Sequence, residues 1–323
     1  MKKILILGVN SFSGSSFAKY IQSKKFKLYG FYHKEKNKKY IIYNKKKISL
    51  KKVNNLNEKL LIDLIKKIKP NIIIDFASIC MVNESWKYKK YYNEVNYKSK
   101  INLIKFLSEE TFLKKYIYIS TPEVFGSNKN ISEKTKKFSP STPYAASKLN
   151  AEKYLNHMKK KKNFPVIICR FSNFYGPGQP IYRLIPKVCI TADKHQLFPL
   201  HGGGSSKRNF LFSDDFCNGI YKTVQKGKTG QVYHFSGDEI ISIKDIVKKI
   251  YKIKKKKFDK LVENTKDRVK KDKIYSLSSK ITQKSLNWRC KTSLEKGLNK
   301  TINFYKKNFS YFKYEKSYYK FRQ

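Results

Sequence analysis

The chain has 323 residues, of which 40% are hydrophobic, so it can bury the core of one large domain or two modest ones and is too apolar to be a disordered tail. A formal charge of +49 raises a polyanion partner, but only six of the 72 basic residues are arginine, the side chain that phosphate and base readers favour for its bidentate fork. Abundant Lys, Asn, Ile, Tyr and Phe fit a lysine-coated, solvated surface better than a specific nucleic-acid reader.

No apolar run reaches membrane-spanning length, and the stretch after Met1-Lys2-Lys3 is too short for a secretion signal, so a cytoplasmic protein off the membrane is expected. Five scattered cysteines without a C-x-x-C pair suggest neither a metal site nor a disulfide framework. Cys169 and Cys189 stand in apolar runs and read as core residues. The lysine runs 45–47, 159–162 and 254–257 read as solvated element ends.

Residues 3–7, KILIL, predict a buried strand, with Gly8 for a tight turn and a helix over about 15–23. Strand, glycine turn and helix are the setting of a dinucleotide site. Gly14 allows close packing, and the free N–H groups around Phe12 suit a pyrophosphate. Ser11 stands where a full fingerprint carries glycine. A second strand, 27–32, ends at His33-Lys34-Glu35, where an acidic residue would take the ribose of NAD. His33 and Lys34 suit the extra phosphate of NADP, and Glu35 keeps both open.

A helix over 58–68 closes at Pro70, and a strand over 71–78 ends in small residues, Ala77 among them, able to run beneath a cofactor. One long helix is expected over 91–107, then a strand over 116–119 presenting Ser120, Thr121, Pro122 and Glu123 at its end. Tyr144 and Lys148 follow at helical spacing on one face. An ammonium beside a phenol lowers the phenol's pKa, so these groups can form a proton-transfer site. Among 24 tyrosines the pair alone has little specificity, and an exposed helix face is the plain alternative.

The strand 164–171 completes an alternation that implies an α/β fold with a doubly wound parallel sheet, Rossmann-like, over residues 1–172. Residues 173–323 are read mainly as a smaller substrate-binding lobe, with some segments returning to the core. They hold a turn cluster at 173–180, a glycine-rich loop leading into a strand at 201–212, a helix near 238–250 with Ser242 as N-cap, a last helix at 293–305, and an aromatic, basic tail.

The segments GVNSFSG, STPEVFG, SPSTPYAASK, RFSNFYGPGQ, LHGGGSSKRNFLFSDD, DRVKKDKIYSLSSK and SLNWRCKTSLEKGL together resemble the extended short-chain dehydrogenase/reductase family, in particular its nucleotide-sugar 4,6-dehydratases and epimerases. The resemblance covers almost the whole chain. It implies bound NAD, with NADP left open, a nucleotide-diphosphate sugar as substrate, and a homodimer. It implies that Tyr144 takes the sugar C4 hydroxyl proton, Lys148 lowers that tyrosine and holds the nicotinamide ribose, Thr121 bonds the C4 oxygen, and Glu123 removes the C5 proton. Asn173, Arg183, Arg208 and Arg268 match positions that bind the nucleotide diphosphate, and His201 a position beside the base. Pro122 replaces the aspartate that acts as acid toward the C6 hydroxyl, so epimerisation or decarboxylation stands as the alternative outcome.

Overall fold

The computed structural model describes residues 1–35, 40–54, 56–267, 272–316 and 318–319. The first half runs β1 (Lys3–Leu7), α1 (Phe12–Ile21), β2 (Lys27–Tyr32), β3 (Ser49–Lys52), α2 (Glu58–Ile68), β4 (Ile72–Asp75), α3 (Val82–Lys87) and α4 (Lys89–Asn93). A π-helical segment, Glu94–Lys98, leads into α5 (Ser99–Ser108). Then come β5 (Lys115–Ser120), a 3-10 turn at Pro122–Phe125, β6 (Asn128–Ile131), α6 (Pro143–Lys162) and β7 (Val166–Phe171).

The second half holds β8 (Asn173–Tyr175), α7 (Leu184–Asp193), β9 (Phe198–His201), β10 (Lys207–Phe212), α8 (Ser213–Lys226), β11 (Val232–Phe235) and β12 (Ile240–Ser242). It continues through α9 (Ile243–Ile253), α10 (Phe258–Leu261), β13 (Val262–Thr265), β14 (Ile274–Leu277), α11 (Lys280–Leu286), α12 (Leu294–Lys307) and α13 (Phe309–Phe312).

Among the described residues the main sheet has seven strands in the order β11-β7-β5-β4-β1-β2-β3, all parallel. The strand order reverses between β1 and β4, which opens a crevice at their carboxyl ends. Apolar strands such as KILIL are covered on both faces, as a parallel sheet requires. Helices α1 and α8 pack together on one face, and α2, α5 and α6 adjoin on the other. Past residue 172 the chain thus returns to this sheet, through α8 and through β11 beside β7. The second half, with β6 contributed by the first, builds a five-stranded sheet (β12, β10, β14, β6, with β8 on β10), and adds a β9–β13 pair and a core around Val188, Ile246, Leu298 and Tyr305.

Four local readings differ from the sequence expectation. The helix over 91–107 is not continuous: its turn at Glu94–Lys98 widens to π geometry, where Asn96 bonds both Ile79 N (2.9 Å) and Ile79 O (3.0 Å). The strand from 71 stops at Asp75, because Asp75 Oδ1 accepts from Ala77 N at 2.9 Å and turns the chain. Helix α1 begins at Phe12, earlier than expected, because Ser11 caps it through Gly14 N at 2.9 Å. Lys254 is not solvated; its buried side chain pairs with Asp193 Oδ1 at 2.7 Å.

Candidate active site

The crevice between β1 and β4 is built from backbone that tolerates little else. Gly8 has φ +76°, and a Cβ there would meet Ala77 N at 3.1 Å. A Cβ on Gly14 would lie 2.3 Å from Gly8 O, so helix α1 can approach the turn only with glycine there. Ser11 sits in extended geometry (φ −66°, ψ 163°), open to any residue, so this turn does not require the glycine missing from the fingerprint. The Phe12 ring stacks on Phe174 at 4.7 Å, tying the turn to the second half of the chain.

Beyond the turn, Asn10 Nδ2 donates to Lys34 O at 3.4 Å and Asn10 Oδ1 accepts from Tyr43 OH at 2.9 Å. His33 is exposed at the end of β2, its pKa lowered by partial burial and by Lys34 and Lys52. Glu35 accepts from the Tyr32 hydroxyl and raises that phenol. A glycine cradle at a strand-order reversal, a helix N-terminus beside it, and the buried Ser120 Oγ at the end of β5, without a hydrogen-bond partner among the described residues, all fit a dinucleotide cofactor.

Strand β5 ends at Ser120, and Thr121 caps the following turn by accepting from Glu123 N at 3.2 Å. Pro122 opens that turn as its first residue, where its missing N–H costs nothing. Helix α6 begins under a matching cap, Thr142 Oγ1 accepting from Ala145 N at 3.2 Å, and carries Tyr144 and Lys148 inward. The Tyr144 hydroxyl bonds the Thr121 side chain. Burial, then Asp272, raise the Glu123 carboxyl to about 7 against the pull of Arg208 and Arg183.

The Tyr144 phenol is raised, not lowered. Burial, then Glu123 and Cys80, push it well above the usual 10. Lys148 turns instead toward Ser78 Oγ (2.9 Å) and Ile119 O (2.8 Å), 4.1 Å from the Tyr118 ring centroid. Burial, then Lys100, bring its ammonium down to about 7. Beneath it lies a buried charge pair that sequence reasoning missed: Lys100 Nζ donates to Asp75 Oδ2 at 2.6 Å and to Ala77 O at 3.0 Å, and Tyr116 OH donates to Asp75 Oδ2 at 2.7 Å.

Arg183 donates to Cys80 Sγ at 2.7 Å and acts on both Tyr144 and Glu123, which puts it at the proton-transfer end of the cleft. Arg208 lies 4.0 Å over the Tyr275 ring, donates to Asp272 O, and also acts on Glu123. Asn173 Oδ1 accepts from Tyr275 OH at 2.6 Å. His201 stands apart at the end of β9, its Nδ1 2.8 Å from Thr265 Oγ1. Arg268 lies outside the described residues. Cys80, Asp272 and Tyr275 join the site without a spacing signal of their own, because β4, β14 and the loops beside them meet only in the fold.

The NAD dependent epimerase/dehydratase family model matches residues 4–235. This chain belongs to that family. The family's members are NAD-dependent enzymes, and the glycine cradle above is where such a cofactor fits. A dTDP-D-glucose 4,6-dehydratase of Dictyostelium discoideum is 30% identical across 96% of this chain and 83% of its own length. The NAD complex of a dTDP-glucose 4,6-dehydratase from Bacillus anthracis superposes with a TM-score of 0.87 at 27% identity, covering 97% of this chain and 99% of that one. A UDP-glucuronic acid 4-epimerase from Bacillus cereus superposes equally well, TM-score 0.87, at 23% identity, and speaks for the fold. Among the described residues no helix is long and apolar enough to cross a membrane.

Proposed function

We propose that this family member is a nucleotide-sugar 4,6-dehydratase-type enzyme: C4 of a nucleotide-diphosphate sugar is transiently oxidised, and the C5 proton is then lost. The observation that carries this reading is Glu123, a carboxyl held near 7 beside Tyr144 and Thr121. A base poised near neutrality suits abstraction of a proton acidified by an adjacent ketone. Simple C4 epimerisation has no use for it.

Bound NAD supplies the hydride acceptor and donor. Gly8, Ser11, Phe12, Gly14 and Ala77 would hold it, with His33 near its adenosine end and Lys148 at its nicotinamide ribose. Tyr144 accepts the C4 hydroxyl proton, and Thr121 bonds the C4 oxygen. Burial, Glu123 and Cys80 raise the phenol in the protein alone. Tyr144 therefore acts as base only after its own proton has left to solvent, as a phenolate supported by the Lys148 ammonium and the bound cofactor. Arg183, Arg208 and Asn173 draw the diphosphate and sugar into the cleft, with His201 toward the nucleotide end. The active form is a cytoplasmic homodimer, for which light scattering should give twice the chain mass.

The second reading, epimerisation or decarboxylation, is favoured by Pro122, which offers no proton to a departing C6 hydroxyl. Product mass separates the two, one water lost against carbon dioxide or nothing, and solvent exchange tests Glu123 as the C5 base. In D2O the wild type should place deuterium at C5, and Glu123→Gln should still oxidise C4 but lose that label. Wild-type labelling in the variant would remove Glu123 as the base.

A further inference from the structure

The aromatic C-terminal tail has no part in the chemistry above. After α12 the chain doubles back, and α13 seats Phe312 against Tyr40 and Tyr305, with ring centroids 5.6 and 5.3 Å away. Tyr40 then donates to Glu315 Oε2 at 2.7 Å. Tyr319 follows, edge-on to Tyr182 with centroids 5.1 Å apart. Its phenol is pushed up to about 12 by burial first, and Cys80, Arg183, Glu84 and Tyr91 all act on it. Cys80, Glu84 and Tyr91 follow β4, whereas Tyr182 and Arg183 precede α7. Tyr319 therefore stands between the two halves of the chain, beside the Arg183–Cys80 contact that faces Tyr144.

We propose that the tail forms the sugar-end wall of the cleft and that Tyr319 is a specificity-determining residue meeting the sugar beside Arg183 and Cys80. The inference rests on the substrate class proposed above. A neutral phenol suits this place, since its face covers the C–H surface of a sugar ring and its hydroxyl bonds a sugar oxygen. The buried Phe312, the Tyr40–Glu315 bond and the Tyr182–Tyr319 contact fasten the described tail residues to the body, so they act as a fixed wall and not as a plug that must leave.

The test uses full-length protein with NAD, as wild type and as Tyr319→Ala, Tyr319→Phe and Glu315→Ala. Two readouts are taken: the iodoacetamide alkylation rate of Cys80, resolved by peptide mass spectrometry, and KM against kcat for the nucleotide sugar turned over. Tyr319→Ala should alkylate several-fold faster and raise KM about tenfold with kcat nearly constant, as expected for lost substrate contact. Tyr319→Phe should leave the alkylation rate of Cys80, which is exposed in the wild type, unchanged and raise KM less. Glu315→Ala should fall between. Unchanged alkylation alongside normal turnover overturns the wall and leaves the reaction standing. Faster alkylation with unchanged KM overturns the contact to sugar. Faster alkylation with no nucleotide sugar turned over upholds the wall and overturns the reaction.

Discussion

Replacing Glu123 by glutamine should stabilise the fold at alkaline pH and leave it unchanged in acid. The carboxyl rises from 4.5 to about 7 in the folded protein, chiefly through burial, with Asp272 adding to it. Such a group holds its proton more tightly folded than unfolded. Its contribution is therefore complete below pH 4.5 and is lost as pH climbs through about 7. The displacement corresponds to about 3 kcal/mol, reduced by the water that reaches a partly exposed residue. A glutamine side chain has no proton to lose, so the variant escapes that loss. Lys148 titrates in the opposite sense, with stability recovering from about pH 7 upward, but it is present in both proteins and cancels in the comparison. Urea unfolding at about pH 4.5 and about pH 8 reads the effect directly. The variant should gain about 1–3 kcal/mol at the higher pH and close to nothing at the lower. A variant less stable than wild type at the higher pH, or an equal gap at both pH values, would mean that the carboxyl is not held against its charge. The gain would mark Glu123 as a residue kept at the expense of stability, the pattern of an active-site base.

Other changes test other parts of the site. Tyr144→Phe should cut turnover by about 10²–10⁴ while NAD binding, followed by fluorescence titration, stays within a few-fold; unchanged turnover would remove the phenol from the chemistry. Lys100→Met leaves Asp75 buried without its cation and should cost about 3–5 kcal/mol in urea unfolding. Because Lys100 also holds Lys148 down, any kinetic limb belonging to Lys148 should move to higher pH in that variant. Gly14→Ala places a methyl 2.3 Å from Gly8 O and should weaken NAD binding sharply, whereas Ser11→Gly should cost only about a few tenths of a kcal/mol, because glycine is itself a tolerated N-cap.

The parallel sheet was legible because its strands are apolar throughout, KILIL and VIICRF being buried on both faces. Helices with a clear punctuation mark were legible too: α2 ends before Pro70, and Ser242 caps α9. Strand β3, SLKK, was not. It is a sheet edge whose side chains mostly face solvent, so no apolar period betrays it. The π turn around Asn96 was hidden because it arises from a tertiary contact with Ile79, not from local propensity. At the site, Tyr144, Lys148, Thr121 and Glu123 could be named from motif and resemblance. The direction of the Tyr144 shift could not, since it depends on burial and on Glu123 and Cys80 arriving from other segments. The Asp75–Lys100 pair lies 25 residues apart in sequence and reads there as one more lysine among many.

The outcome at C6 decides between dehydration and its alternatives. Purified protein incubated with NAD and, in turn, dTDP-, UDP-, GDP- and CDP-sugars, then followed by mass spectrometry, tests it most directly. Loss of one water from one substrate is the predicted result, and it would show that Pro122 is tolerated in a dehydratase. A new isomer of unchanged mass, or loss of carbon dioxide, would contradict the account and mark Pro122 as the switch to epimerase or decarboxylase chemistry.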